Sequence, residues 1–370
     1  MPLRPSDRDI TRRRLGNQLL LAPTLTQPAA VVQRLGAVQA QDYAGAKWAV
    51  AMRTRGNVVD AAVERDVSNG SILRTHVLRP TWHFVTPADI RWMLGLTAPR
   101  VKAAMAYYDR QLELDTAVFR RSNAALTRAL RDGKQLTRAE LAQVMRRARV
   151  DASGTQRLGH LMMRAELDGV VCSGARRGKQ STYALLEERV PRTPALDHDA
   201  ALLELTTRYF ATRGPATLQD FAWWSGLTLA DARKGVQVAG RSLEREIIGD
   251  ETYWFDPSAR PPPRRSVSAY LLPNYDEYFI GFKDRSAIGE RLSSKEIAMG
   301  RAALLPHVVI VDGQVVGGWK RVLSKTTVVV ELSLVAGLRT TERKAVVAAA
   351  RSFGRFLDLP IELRGVGGRG

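Results

Sequence analysis

One arrangement occurs three times in this 370-residue chain: two or three short amphipathic helices, then two apolar β runs joined by a basic or glycine-containing turn. Few folds accommodate such a unit. The middle copy is the plainest. A helix is expected over 118–131, and Thr137-Arg138-Ala139-Glu140 is a capping box that opens the next one. A third helix over 154–168 ends at Asp168-Gly169. Val170-Val171-Cys172 and Thr182-Tyr183-Ala184-Leu185 then flank a cationic turn containing Arg176, Arg177 and Lys179. The pattern predicts a winged helix-turn-helix, and its repetition predicts three in tandem.

The first copy lies in 1–115, with extra helices; the second occupies 116–192 and the third 197–258. Its wing is expected at 243–255, followed by a stiff basic linker, Pro261-Pro262-Pro263-Arg264-Arg265. Residues 266–370 are strand-rich, with an Asp312-Gly313 hairpin signal and one helix over 340–357. The expected class is α+β: three winged helices and a C-terminal β-barrel-like or curved-sheet domain carrying a terminal helix.

Charge selects the partner. Fifty-six basic residues against 37 acidic ones give a net charge of +19, which draws in polyanions at long range. With tandem winged helices, this makes nucleic acid the expected partner. Cys172 is the sole cysteine, and the five histidines (76, 83, 160, 198, 307) have no ligand spacing, so neither metal nor other cofactor is expected. No apolar run reaches a membrane span, and a cytoplasmic, nucleoid-associated monomer with no membrane partner is expected.

The residues with the most interesting chemistry are Gln39 and Gln41, in Val38-Gln39-Ala40-Gln41-Asp42-Tyr43. On a helix two such amides diverge, whereas on an extended segment they point the same way. Leu35-Gly36 before them and Asp42-Tyr43-Ala44-Gly45 after them predict that the chain leaves the helix here. Asp42 reads first as a cap for the following helix and second as a base. Arg79, Trp82 and His83 form a polar-aromatic cluster at the first wing; with Asp42 they are candidate pocket residues, and Trp82 reads equally as core. Arg176, Arg177 and Lys179, with Trp319, Lys320 and Arg321 beside Gly317-Gly318, are candidate DNA contacts. Trp223-Trp224 reads as core, and Asp276, Glu277 and Lys283-Asp284-Arg285 read as an ion network between domains.

Four stretches carry a family resemblance. They are Leu35–Asp42, Leu78-Arg79-Pro80-Thr81-Trp82-His83, Asp220–Leu227, and Leu272–Arg285 with its core Asn274-Tyr275-Asp276-Glu277. Through them the whole chain resembles the winged-helix DNA glycosylases of the AlkZ/YcaQ-like family. The family motif, a glutamine, an apolar residue and a second glutamine, falls on Gln39 and Gln41, with Ala40 as a small middle residue. The resemblance implies a monofunctional glycosylase acting on double-stranded DNA with alkylated or crosslinked purines. It also implies a role in DNA repair and in self-resistance to an alkylating natural product.

The chemistry fits an amide pair. Glycosidic cleavage passes through an oxocarbenium-like sugar and usually employs two carboxyl groups. An N7-alkylated guanine is already cationic and leaves without a proton, so positioned water and amide oxygens can suffice. Without the resemblance, a non-catalytic transcription regulator ranks first. A nuclease ranks last, because no acidic cluster suggests paired metals.

Overall fold

The computed structural model describes residues 7–259, 266–292, 307–335 and 337–365; the Pro261–Arg265 linker of the sequence reading lies outside them. The first block begins with α1 (Asp7–Asn17) and α2 (Pro28–Leu35), the latter opened by Pro28 and stopped at Gly36, whose φ is +79°. Next come β1 (Val38–Gln39), α3 (Tyr43–Met52), α4 (Asp60–Asn69), β2 (Leu73–Val77) and β3 (Arg79–Val85). The long α5 (Pro87–Gln111) leads to the second block.

There the order repeats: α6 (Thr116–Leu130), β4 (Leu136–Thr137), α7 (Arg138–Arg147), α8 (Thr155–Leu167), β5 (Val171–Ser173) and β6 (Thr182–Leu185), followed by a single turn, α9 (Leu186–Arg189). The third block comprises α10 (His198–Arg213), α11 (Leu218–Ser225), α12 (Leu229–Ala239), β7 (Glu244–Ile248) and β8 (Glu251–Phe255).

The three blocks share a topology finer than helices followed by a hairpin. Immediately before the last two helices that precede each hairpin runs a short extended segment that pairs with the second hairpin strand. It is β1 on β3 in the first block, β4 on β6 in the second, and Ala216 on Trp254 of β8 in the third. In the second block the last paired residue, Thr137, is itself the cap of α7, and in the third Thr217 caps α11 one residue after the pairing ends. In the first block Ala40, Gln41 and Asp42 intervene before α3 begins. Those intervening residues keep Gln41 out of the helix.

The first wing is much shorter than a DNA-gripping wing. β2 turns into β3 through Leu78 alone, at φ +64°, and Leu78 is buried. Pro80 does not end the strand, because a bulge between His76 and Val77 leaves Pro80 and Thr81 outside the ladder register. Gly226, at the end of α11, sits directly on this turn, where a Cβ would lie 2.1 Å from the Leu78 carbonyl oxygen.

The C-terminal part is an open sheet of order β13-β12-β11-β10-β9, not a closed barrel. Its strands are β9 (Ala269–Leu272), β10 (Val308–Val311), β11 (Gln314–Leu323), β12 (Val328–Leu334) and β13 (Ile361–Arg364). A helical turn, α13 (Glu277–Ile280), follows β9, and α14 (Thr340–Leu357) makes the crossover between the parallel strands β12 and β13. Asp312 and Gly313 both take positive φ, the two-residue hairpin turn that their sequence indicates. The blocks share cores. Ala37 and Leu73 pack into one cluster with Leu186, Leu202 and Trp224, while Val38 and Trp48 pack with Val309, Val330 and Phe353 of the sheet and α14. The first block is therefore clamped from two sides.

Candidate active site

Gln39 ends β1, opposite His83, and the pairing continues as Ala40 donates its N–H to the Trp82 carbonyl at 2.7 Å. Gln39 is thus on a strand and outside any helix, while Gln41, two residues on, lies in the bend that precedes α3. Neighbouring elements fix this segment. Arg213, at the end of α10, donates to the carbonyls of Leu35 and Ala37 at 2.9 and 3.1 Å. Glu277 accepts the Gln39 backbone N–H at 2.8 Å. Arg74 donates to the Ala40 carbonyl at 3.0 Å and lies 4.3 Å from the Trp82 ring centroid. An arrangement held by three parts of the fold is rigid before any ligand arrives.

The two side chains are held differently. Gln39 is only 5% exposed, and its Oε1 accepts from Arg79 Nη2 at 2.6 Å. Gln41 is exposed, and its Oε1 accepts from the Trp82 backbone N–H at 3.3 Å. Arg79 also donates to the Trp223 carbonyl at 3.3 Å. Burial pushes the Arg79 pKa down to about 10, with Glu277 acting in the opposite direction, so it stays cationic at neutral pH. Trp223 is 43% exposed, while its neighbour Trp224 is core and donates its indole N–H to Glu277 at 2.9 Å. Only Trp224 fits the core reading of that pair.

Asp42 caps α3 by accepting the Gly45 N–H at 3.0 Å, and it also stands 3.5 Å from Arg321 and 3.8 Å from His307. Gly45 has no room for a side chain, since a Cβ would lie 2.6 Å from Asp42 Oδ2 and 2.9 Å from Pro273 Cβ. His83 departs from the pocket reading. It is fully buried, its Nδ1 lies 2.9 Å from the Thr81 carbonyl, and Nε2 is sealed without a partner. Burial, reinforced by Arg79, depresses its pKa, so it is a neutral imidazole beneath the strand. Trp82 is half-buried and packs at a tilt against His76, ring centroids 4.5 Å apart, and His76 in turn contacts the buried Glu166 of α8.

The expected DNA contacts divide. Trp319 does not meet a groove: it is 3% exposed, packs against Phe353, and donates to the Leu272 carbonyl at 2.7 Å. Its glycine neighbour serves the sheet, because a Cβ on Gly317 would lie 2.3 Å from the Ser333 carbonyl oxygen. Arg176 turns inward, 4.7 Å from the Tyr43 ring centroid and 3.6 Å from Glu64. Arg177 is exposed but paired with Glu140 at 2.8 Å. Lys179 and Lys320 are exposed, and Arg321 is drawn toward Asp42.

Several supporting residues were not singled out in the sequence as parts of the site. Glu277 gave a partial signal as an acidic neighbour of Asp276, but it serves both the ion network and the Gln39 amide. Arg213, Arg74 and Glu166 gave none, since their roles arise only when distant blocks pack. Among the described residues the Lys283-Asp284-Arg285 run forms no ion network: the backbone N–H groups of Lys283 and Asp284 donate to Asp220, and Arg285 donates to the Phe279 carbonyl. Among the described residues no group of three or more His, Cys, Asp or Glu side chains is placed to hold a metal, and no helix is long and apolar enough to cross a membrane.

The fold has counterparts among known proteins. The description "DNA glycosylase AlkZ-like" matches residues 32–356. The interstrand DNA cross-link repair glycosylase of Streptomyces sahachiroi is 27% identical over 343 residues, covering 86% of this chain and 88% of that one. The solved structure of the Streptomyces sahachiroi DNA glycosylase AlkZ has a TM-score of 0.78 and 25% identity, covering 98% of this chain and 100% of that one. With a match spanning both glutamines, all three blocks and most of the C-terminal sheet, the chain belongs to the AlkZ-like DNA glycosylase family.

Proposed function

We propose that this enzyme hydrolyses the N-glycosidic bond of cationic N7-alkylguanine adducts in double-stranded DNA, unhooks interstrand crosslinks of the same chemistry, and so serves self-resistance to an alkylating natural product. Gln39 and Gln41 carry the reaction. The observation that supports this most directly is the externally braced Gln39-Ala40-Gln41 segment, in which both amide oxygens are held while neither NH2 group has a partner among the described residues. Glutamine cannot remove a proton outright, so the pair suits a substrate whose base leaves unprotonated and whose sugar cation needs only positioned water. Crosslinks fit the same design, because a tethered base cannot swing fully out of the duplex.

The reaction needs no imine. Lys47, the lysine buried beside Tyr43, is engaged in ion pairs at 2.7 Å with both Asp60 and Glu64. The reading as a regulator finds less support. The helix expected to enter a major groove is acidic in the first block, where α4 carries Asp60, Glu64 and Asp66. In the second block α8 is packed against α5 and β2. Lys179, Lys320, Arg177 and Arg321 are the proposed phosphate contacts.

The deciding experiment measures base release from a duplex carrying one N7-methylguanine, with wild type and Gln39→Ala/Gln41→Ala, alongside binding of the same duplex. Release by wild type only, with comparable binding by both, is expected. Tight binding without release by the wild type would return the protein to the regulators.

A further inference from the structure

The two amides differ in what holds them, and the difference assigns them different work. A guanidinium has donors only, so the atom of Gln39 that meets Arg79 at 2.6 Å is the carbonyl oxygen. The NH2 end makes no hydrogen bond among the described residues, yet it is not among the polar atoms sealed from solvent. The slight exposure of Gln39 is therefore at a donor. Gln41 meets a backbone N–H at the longer distance of 3.3 Å and is exposed, so its amide can rotate to present its oxygen at little cost.

Charge is graded along the same segment. Near Gln39 stand Arg79 and Arg213, balanced by Glu277 alone, an excess of one positive charge. After Gln41 the carboxylate of Asp42 is offset by Arg321 at 3.5 Å, so that end carries no such excess. Glycosidic cleavage moves positive charge from the base to the sugar. A positive end favours the base losing its charge, and an end without that excess opposes the sugar's gain of charge less. Residues two apart on an extended chain are separated by roughly 6–7 Å. That span suits a leaving base and an attacking water on opposite sides of one sugar carbon.

We propose that Arg79 is a positioning residue that turns the Gln39 NH2 group outward, so that Gln39 donates to an acceptor atom of the departing base while Gln41 orients the water that attacks the sugar. This rests on the glycosylase reading above. The C1′–N9 bond breaks with its electron pair passing to the base, which becomes neutral; the water oxygen bonds to C1′, and its proton leaves to bulk water. Polarisation by Arg79 makes the Gln39 NH2 a stronger donor as electron density rises on the base.

Single-turnover release from an N7-methylguanine duplex tests this with isosteric variants. Gln39→Glu replaces the outward donor with an oxygen and ties the side chain to Arg79. It is expected to lose release at least a hundredfold while binding the duplex within threefold of wild type. Gln41→Glu keeps an acceptor and is expected to stay within tenfold of wild type. Arg79→Met is expected to lower kcat more than tenfold at unchanged KM, and Arg79→Lys, with a donor and the charge retained, to recover most of it. Gln39→Glu as active as wild type overturns the assignment, as does unaltered release by Arg79→Met should Gln39→Glu fail to fold. Absence of release by the wild type overturns the glycosylase reading instead.

Discussion

Glu277, from the C-terminal part, accepts the backbone N–H of Gln39 at 2.8 Å, while its other oxygen is held by Arg213 at 2.5 Å and by the Trp224 indole at 2.9 Å. One carboxylate thus joins the sheet-bearing region, the third block and the segment carrying the glutamines. Both Glu277 and Arg213 are fully buried. Removing one partner of such a pair leaves the other charge uncompensated, at a cost of about 3–5 kcal/mol. Glu277→Gln keeps an oxygen for one donor but loses the charge facing Arg213. Denaturant unfolding should place this variant about 3 kcal/mol or more below wild type, and a loss under 1 kcal/mol would contradict the linkage.

The repeat, the capping box at Thr137 and the exit from helix at the glutamines were legible because each depends on neighbours in sequence. Strand β13 was not, because four residues after a long helix acquire their role only by lying parallel to β12. The site was legible in part for the same reason. Gln39, Gln41 and Arg79 lie in or close to the first hairpin sheet, but Arg213 reaches Ala37 across 176 positions of chain and Glu277 reaches Gln39 across 238. Trp319 was misread because a glycine pair beside an aromatic and two cations suggests a groove contact. Only the packing of α14 against the sheet makes that tryptophan core.

Trp319 and Lys320 should consequently behave as opposites. Trp319→Ala removes a core aromatic and its hydrogen bond to Leu272, and should cost about 3–5 kcal/mol of stability. Lys320→Ala should leave the melting temperature within 2 °C or so. If Lys320 neutralises a phosphate, its loss should reduce the slope of log Kobs against log salt by about 1. An unchanged slope removes Lys320 from the interface.

Gly226 lies where a helix end meets the turn that carries Arg79. Its φ is +70°, and an added Cβ would lie 2.1 Å from the Leu78 carbonyl. Gly226→Ala should therefore lose more than about 2 kcal/mol, combining backbone strain with displacement of the turn. Arg79 is the residue after Leu78, so the folded variant should also release base more slowly than wild type. Wild-type stability and rate would show that the turn yields without consequence.

Acid should weaken the fold through its buried histidines. Burial, aided by Arg321, pushes His307 down to about 4, and Asp42 offsets this only in part. His83 is displaced in the same direction by complete burial and by Arg79. An unfolded imidazole titrates near 6.5. Between these values the unfolded chain binds more protons than the folded one, so unfolding free energy rises with pH. The contribution is complete above about 6.5 and is lost as pH falls toward 4. For His307 it amounts to about 1–2 kcal/mol, allowing for its partial contact with solvent. Melting temperatures at pH 7.5 and 5.0 should therefore fall further apart for wild type than for His307→Gln, which has no proton to gain. Equal falls for the two proteins would mean that His307 titrates alike in the folded and unfolded chain, and its burial beside Arg321 would then have no linkage to folding.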